Sequence, residues 1–243
     1  EAHGRNLWRR WYMAHILPRE DGAPLSPYCC MHNFCADGMP EFTGATEENQ
    51  CSALQTYLEN GIHPDIWWID AGWYPCGGNW PYIGTWEPDP TRFPHGLASI
   101  GELCRENGVR FLLWFEPERV VTGTWLHEQH HDWLLPIPEP REDDPAHHND
   151  NHLLDLGNPA ALNWLIDHVD GLIKKSGIRV YRQDFNFAPL ACFVAAEAED
   201  RIGAVENHHV QGYLRYWDEL IRRNPGLWID SCASGGRRND LDT

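Results

Sequence analysis

Ile178-Arg179-Val180-Tyr181-Arg182-Gln183-Asp184-Phe185-Asn186-Phe187 reads as a buried strand that carries one carboxylate to its C-terminal end. On a strand alternate side chains share a face, so Arg182, Asp184 and Asn186 point one way while Tyr181, Gln183 and Phe185 point the other. The guanidinium two residues before the acid is then expected beside it, lowering its pKa and keeping it ionised near neutral pH. A carboxylate in that state suits a nucleophile or an electrostatic stabiliser better than a proton donor. A structural Arg–Asp ion pair at a strand end explains the same segment equally well.

Outward from this strand the chain alternates between the periods of strand and helix. Upstream, residues 28–32 form a short strand, Thr46 caps a helix that runs to Asn60 and stops at Gly61, and residues 66–70 form a second strand. A long loop over 71–96 leads to a helix over 97–107 and a strand over 109–115, with Glu116-Pro117-Glu118 at its end. A polar excursion over 122–151 carries His127, His130, His131, His147 and His148, with His152 just beyond. Asn158 and Pro159 then start a helix as cap and first residue, running to Lys175. Downstream of Asp184 come a helix over 207–223 and a strand over 227–230.

Strands alternating with helices imply a parallel sheet with right-handed crossovers. Long loops after strands and short ones after helices fit a TIM (β/α)8 barrel, whose post-strand loops form the catalytic face. Five strands are too few to close eight, so the expected fold is α/β, a truncated barrel with about five of its eight strands. Residues 28–243 are assigned to that partial barrel, its C-terminal strands missing. Residues 1–27, where Trp8-Arg9-Arg10-Trp11-Tyr12 follows neither period, are read as an N-terminal segment packing on it. Unpaired parallel edges make aggregation of the isolated chain the expected behaviour.

Composition narrows the partners. The 243 residues, 42% hydrophobic, suffice for a substantial core. A net charge of −17, from 36 acidic against 19 basic residues, argues against nucleic acid or an anionic membrane surface. No apolar run is long enough to span a bilayer and the first residues have no signal-peptide architecture, which leaves a cytoplasmic location as the expectation, with an export signal upstream still open. The cysteines, Cys29, Cys30, Cys35, Cys51, Cys76, Cys104, Cys192 and Cys232, form no CxxC pair and are read as mostly reduced thiols. Thirteen tryptophans, several beside carboxylates, suit flat walls for sugar rings.

The polar residues at the strand ends are Asp70, Glu116 with Glu118, Asp184, and Asp230 with Ser231 and Cys232. Carboxylates converging on one mouth suit glycoside hydrolysis, where one attacks or activates water and another protonates the leaving oxygen. The turn Ser231-Cys232-Ala233-Ser234-Gly235-Gly236-Arg237-Arg238 admits close backbone approach to a ligand and lacks the P-loop pattern. Five motifs now stand in order: Trp67-Trp68-Ile69-Asp70-Ala71-Gly72-Trp73; Gly84-Thr85-Trp86 with Phe93-Pro94-His95-Gly96-Leu97; Leu113-Trp114-Phe115-Glu116-Pro117-Glu118; Arg182-Gln183-Asp184-Phe185-Asn186; and Ser231-Cys232-Ala233-Ser234-Gly235-Gly236. Together they resemble the α-galactosidases (melibiases) of glycoside hydrolase family 36.

The resemblance implies a TIM-barrel catalytic domain, a retaining double displacement, no cofactor and no metal. It makes Asp184 the nucleophile and places Asp70, Trp86, Trp114, Glu116, Arg182, Asn186, Cys232, Ser234 and Gly235 around the sugar, with Glu118 and Arg238 as weaker candidates. It implies an α-galactoside-type oligosaccharide or glycoconjugate as partner, and leaves a homo-oligomer of the parent open. The sequence departs from the family's pattern at Ala71, where a second aspartate is usual, and at Arg182, where a lysine is usual. Galactose and N-acetylgalactosamine therefore both stay open, as do hydrolysis and transglycosylation. The family's acid/base aspartate is expected beyond Thr243, and neither Asp240 nor Asp242 is given that role. The isolated chain is therefore expected to be inactive or nearly so.

Internal partnerships compete for some of these residues: Glu116 or Glu118 with Arg119 or Arg182, and Asp230 with Arg237 or Arg238. Two other classes compete for the whole. His127-Glu128-Gln129-His130-His131 satisfies HExxH, the zinc-peptidase pattern, although Pro136 ends any helix quickly and a chain with 14 histidines matches short patterns by chance. A non-catalytic carbohydrate binder needs only part of the same site.

Overall fold

The alternation expected between residues 28 and 238 is present in the computed structural model, which describes residues 2–17, 19–20, 22–24, 28–32, 39–137 and 150–238. Cys35, His147, His148, Asp240 and Asp242 lie outside the described residues. The order is α1 (Ala2–His15), β1 (Arg19–Glu20), β2 (Ala23–Pro24), β3 (Cys30–His32), α2 (Glu47–Glu59), β4 (Ile66–Ile69), α3 (Ala98–Glu106), β5 (Arg110–Phe115) and β6 (Arg119–Val121). It continues with α4 (Trp125–Gln129), a 3-10 turn at His131–Trp133, β7 (Asn151–Leu153), α5 (Pro159–Ser176), β8 (Ile178–Gln183), α6 (Leu190–Ala196), α7 (Ala204–Arg223), β9 (Trp228–Ser231) and α8 (Ala233–Gly236).

Strands β3, β4, β5, β8 and β9 make one parallel sheet in that spatial order, so each strand lies beside the next of its sheet along the chain. Helices α2, α3, α5 and α7 touch in sequence. A singly wound sheet backed by one file of helices is an arc of an α/β barrel. The pleat divides its residues: Tyr181 and Phe111 enter the large core shared with the helices, while Ile66, Leu112 and Val180 form a small cluster with Trp68 and Trp228 on the opposite, concave face. That alternation is the one the Asp184 segment implies.

Local chemistry sets the helix ends. The Thr46 hydroxyl accepts from the Asn49 N–H at 3.1 Å and the Asn49 side chain accepts from the Thr46 N–H at 2.9 Å, a closed capping box at the start of α2. Asn158 caps α5 by accepting from the Ala160 N–H at 2.9 Å, Pro159 takes the first turn, and Gly177 ends the helix in the left-handed region at φ 67°. Helix α3 lies against the end of α5, where a Cβ on Gly101 would sit 1.9 Å from the Ser176 carbonyl oxygen, a contact only glycine permits.

The loop between β4 and α3 has almost no regular structure, yet one side chain organises its base. Arg92 donates through Nη2 to the carbonyls of Gly72 at 2.5 Å and Tyr74 at 2.9 Å, through Nη1 to those of Thr43 and Ala45 at 3.2 and 3.3 Å, and through Nε to Asp89 at 3.0 Å. Buried carbonyls need such donors where no ladder supplies them.

Three parts differ from the reading of the sequence. The segment without a clean period is a helix, α1, and none of its residues is buried. Trp8 and Trp11 stack on each other at 5.3 Å. The polar excursion is bracketed by an antiparallel pair, β6 with β7, in which Arg119 faces Leu153. Helix α6 also falls where a loop was expected. The described cysteines, Cys29, Cys30, Cys51, Cys76, Cys104, Cys192 and Cys232, are free thiols. No described helix is long and apolar enough to cross a membrane.

Candidate active site

Strand β8 ends at Gln183, and Asp184 is the first residue past it, anchored by its N–H to the Phe115 carbonyl at the end of β5 (2.8 Å). Its carboxylate is half-buried and surrounded by donors that carry no charge. Oδ1 accepts from the N–H groups of Phe185 at 2.8 Å and Ser234 at 3.0 Å. Oδ2 accepts from the Asn186 amide at 2.8 Å and the Trp114 indole at 3.3 Å. Burial works to raise the Asp184 pKa, but the bonds from Ser234, Asn186, the Cys232 thiol and Phe185 outweigh it and hold the acid below its ordinary value.

Ionisation of Asp184 thus has the expected direction and a different cause. Arg182 does not reach Asp184: its Nη1 donates to Asp230 Oδ2 at 2.5 Å, and its guanidinium lies over the Trp68 ring at 4.6 Å. Arg182 and Asp230 are direct register partners on neighbouring parallel strands, so their side chains meet on the concave face. Asp230 therefore braces Arg182, where the sequence suggested Arg237 or Arg238.

Asp70 stands at the end of β4 on the same mouth. Burial pushes its pKa up to about 6, against the Ala71 N–H and the Arg182 charge, with Asp184 and Glu41 adding to the rise. Beyond β9, residues 233–236 all adopt positive φ, including two that are not glycine, Ala233 at 63° and Ser234 at 51°. Each such residue costs about 1–2 kcal/mol, and the conformation turns the Ser234 N–H onto Asp184 while the Ser234 hydroxyl donates to Asn186 Oδ1 at 2.5 Å.

Asp70, Arg182, Asp184, Asn186, Cys232, Ser234 and Gly235 are thus gathered at one mouth, and four other residues stand behind it. Trp86, expected as a sugar wall, is 1% exposed and packs against Trp73, Tyr74, Trp114 and Phe115, so it supports the wall from the rear. Trp114 is nearly as buried and reaches the mouth through its indole N–H on Asp184. Glu116 is fully buried with both oxygens engaged, accepting from the Asn186 N–H and from Arg119 Nη2, each at 2.6 Å. It orients Asn186 and has no oxygen to offer a sugar; burial raises its pKa against Arg119 and that N–H.

Arg238 points inward as well. It grips Glu118 with both prongs, Nη1 to Oε1 at 2.6 Å and Nη2 to Oε2 at 2.7 Å, and lies over the rings of Phe185 at 4.1 Å and Tyr213 at 4.8 Å. Glu118 also accepts from Gln183 Nε2 at 3.1 Å and His209 Nε2 at 2.9 Å. His209 Nδ1 accepts from the Leu156 N–H, which assigns the proton to Nε2. Burial opposes the charge on Glu118, but Arg238 and His209 hold its pKa down at about 2. His209 carries no motif and was not singled out from sequence; Trp68 stood in the first motif without a role of its own.

The HExxH stretch does not form one helical face. Helix α4 ends at Gln129, and His131 begins the 3-10 turn. His127, His131 and His152 meet as rings with centroids 4.7 to 5.8 Å apart, and no described group of three such side chains is arranged to hold a metal ion.

The chain is 30% identical over 173 residues to Alpha-galactosidase 1 of Pediococcus pentosaceus, covering 71% of this chain and 23% of that protein. It is 26% identical over 196 residues to Alpha-galactosidase AgaA of Geobacillus stearothermophilus, covering 80% and 26%. The chain thus spans about a quarter of the length of the curated relatives it matches. Its fold matches a crystal structure of GH36 alpha-galactosidase AgaA from Geobacillus stearothermophilus in complex with stachyose, with a TM-score of 0.79 over 97% of this chain and 32% of that one, at 22% identity. The family description Melibiase matches residues 46–243, which takes in every strand end of the mouth from Asp70 to Cys232, and on that match the chain belongs to the melibiase family.

Proposed function

We propose that this chain carries the nucleophile side of a retaining α-galactosidase site, acting on terminal α-linked galactosyl residues of oligosaccharides or glycoconjugates. The observation that carries the reading is Asp184: an ionised carboxylate at the C-terminal mouth of a parallel sheet, fixed by neutral donors and, among the described residues, with no cation bonded to it. Fixed dipoles orient such a group without neutralising it, which suits attack on a carbon that is becoming positive. The relatives' names, and the complexes of AgaA with stachyose and raffinose, support galactosides as the substrate class.

In the first step an Asp184 oxygen attacks the anomeric carbon as the glycosidic C–O bond breaks, the electron pair going to the leaving oxygen, which takes a proton from a general acid. In the second, water loses a proton to the conjugate base and displaces Asp184, so two inversions give net retention. Glu116 and Glu118 are too enclosed by their partners to serve as that acid, and no described residue is assigned to it. Asp70, Arg182, Asn186 and Cys232 border the place a sugar would take, with Ser234 and Gly235 offering backbone close by.

The test is turnover of p-nitrophenyl α-galactoside and α-N-acetylgalactosaminide by the protein carrying this chain, beside its Asp184→Asn variant. Activity on the galactoside, lost by at least about a thousandfold in the variant, is the expected result. Preference for the acetamido sugar would transfer the same mechanism to an α-N-acetylgalactosaminidase. Glycoside that binds without turnover would favour a carbohydrate-binding role, and full activity in the variant would remove Asp184 from the mechanism.

A further inference from the structure

We propose that Glu118 and Arg238 are positioning residues for the nucleophile, a clasp that locks the 233–236 turn to the sheet and so fixes the donors that Asp184 requires. This deepens the reading of Asp184 as nucleophile and rests on it.

The argument starts from the turn. A run of four residues at positive φ, two of them with side chains, does not hold itself; such conformations persist where surrounding structure over-determines them. On its N-terminal side the run is held by β9, through the Cys232 N–H on the Gln183 carbonyl at 2.8 Å. On its C-terminal side stands Arg238, whose two-pronged contact with Glu118 fixes both distance and orientation. Glu118 follows β5, and its other two partners, Gln183 and His209, come from β8 and α7. Strands β5 and β8, helix α7 and the turn after β9 therefore meet at one buried carboxylate.

Both flanks of Asp184 are reached from this clasp. The Arg238 guanidinium lies on the ring of Phe185, whose N–H is one donor to Asp184 Oδ1, and Arg238 follows by four residues Ser234, whose N–H is the other. The low pKa of Glu118 keeps the clasp charged through any pH at which a glycosidase works. Glu118 is fully enclosed, and Arg238, about a quarter exposed (26%), spends both guanidinium prongs on it.

The experiment follows Asp184 directly. The protein carrying this chain is incubated with 5-fluoro-α-galactosyl fluoride, an activated donor whose leaving group needs no proton, and the rate at which the glycosyl adduct appears on Asp184 is read by mass spectrometry. Glu118→Gln keeps the shape of the clasp and removes its charge; Arg238→Lys keeps the charge and replaces the fork with one contact, and carries the test if the first variant does not fold. Displacement of the donors by a fraction of an ångström to one ångström is expected to slow adduct formation by about 100-fold in Glu118→Gln. The acid limb of the labelling rate should move to higher pH, because Asp184 loses bonds that favour its charged form. The titratable groups facing Asp184 are Asp70, Glu116 and Cys232, with Arg182 beyond, and none of them is altered. A folded variant that labels at the wild-type rate with an unmoved acid limb would overturn the clasp alone. Wild-type protein that labels elsewhere, or not at all, would overturn the nucleophile reading and the clasp with it.

Discussion

Asp184 and Glu118 are both carboxylates held below their ordinary pKa, and they are held by opposite means. Glu118 is enclosed and paired with a guanidinium; Asp184 is half-open and, among the described residues, accepts only from neutral groups. The pair around Glu118 cancels charge inside the protein, where an uncompensated ion is costly. The donors around Asp184 stabilise the charge without cancelling it, so that a developing cation outside still meets a full negative field. One arrangement builds structure; the other suits the nucleophile proposed above.

The largest effect should come from breaking the closed member. Glu118→Ala removes the fully buried carboxylate on which Arg238, Gln183 and His209 converge and is expected to cost about 3–5 kcal/mol of stability, read by urea unfolding. Asp184→Ala, which removes only neutral contacts at a half-open site, should cost less than half as much in the same assay; equal losses would erase the distinction drawn above. A second effect concerns Asp70, the one mouth carboxylate whose pKa is raised, to about 6. Hydroxyls donating to it favour its charged form, so binding should release protons, and galactose affinity measured by calorimetry should fall as pH drops through about 6. An affinity flat between pH 7 and 5 would place the sugar away from Asp70. The smallest effect is a control: Thr46→Ala opens the capping box of α2 at a cost of about 1 kcal/mol, lowering the thermal midpoint while leaving the pH dependence of both carboxylates unchanged.

Much of this was legible in the sequence, for identifiable reasons. The five parallel strands follow from hydrophobic runs punctuated by Gly61, Gly108 and Gly177, and the caps at Thr46 and Asn158 are chemistry local to a few residues. The position of Asp184 follows from its strand. The local pair Glu116–Arg119 was among those the sequence offered; what it does not disclose is which charges pair across the fold. Arg182 was expected beside Asp184 because they are two residues apart, yet its guanidinium crosses to the neighbouring strand, where register sets Asp230 opposite it. Glu118 and Arg238 lie 120 positions apart and are joined only by the closing of the fold. Trp86 shows the limit for aromatic residues: an indole beside a carboxylate motif is as easily the support of a wall as its surface. The helix of α1 escaped notice because its aromatic residues stack on one another along an exposed face, a pattern without a buried stripe.

Arg92 has a bearing on how this loop can be altered. Because a single side chain satisfies carbonyls from both the 43–45 segment and the 72–74 segment, the two behave as one framework piece although nearly thirty residues of chain separate them. Transplanting the loop after β4 onto another barrel would therefore require moving residues 43–45 and Arg92 as a unit, and shortening it anywhere between Asp89 and its neighbours would detach a wall two segments away.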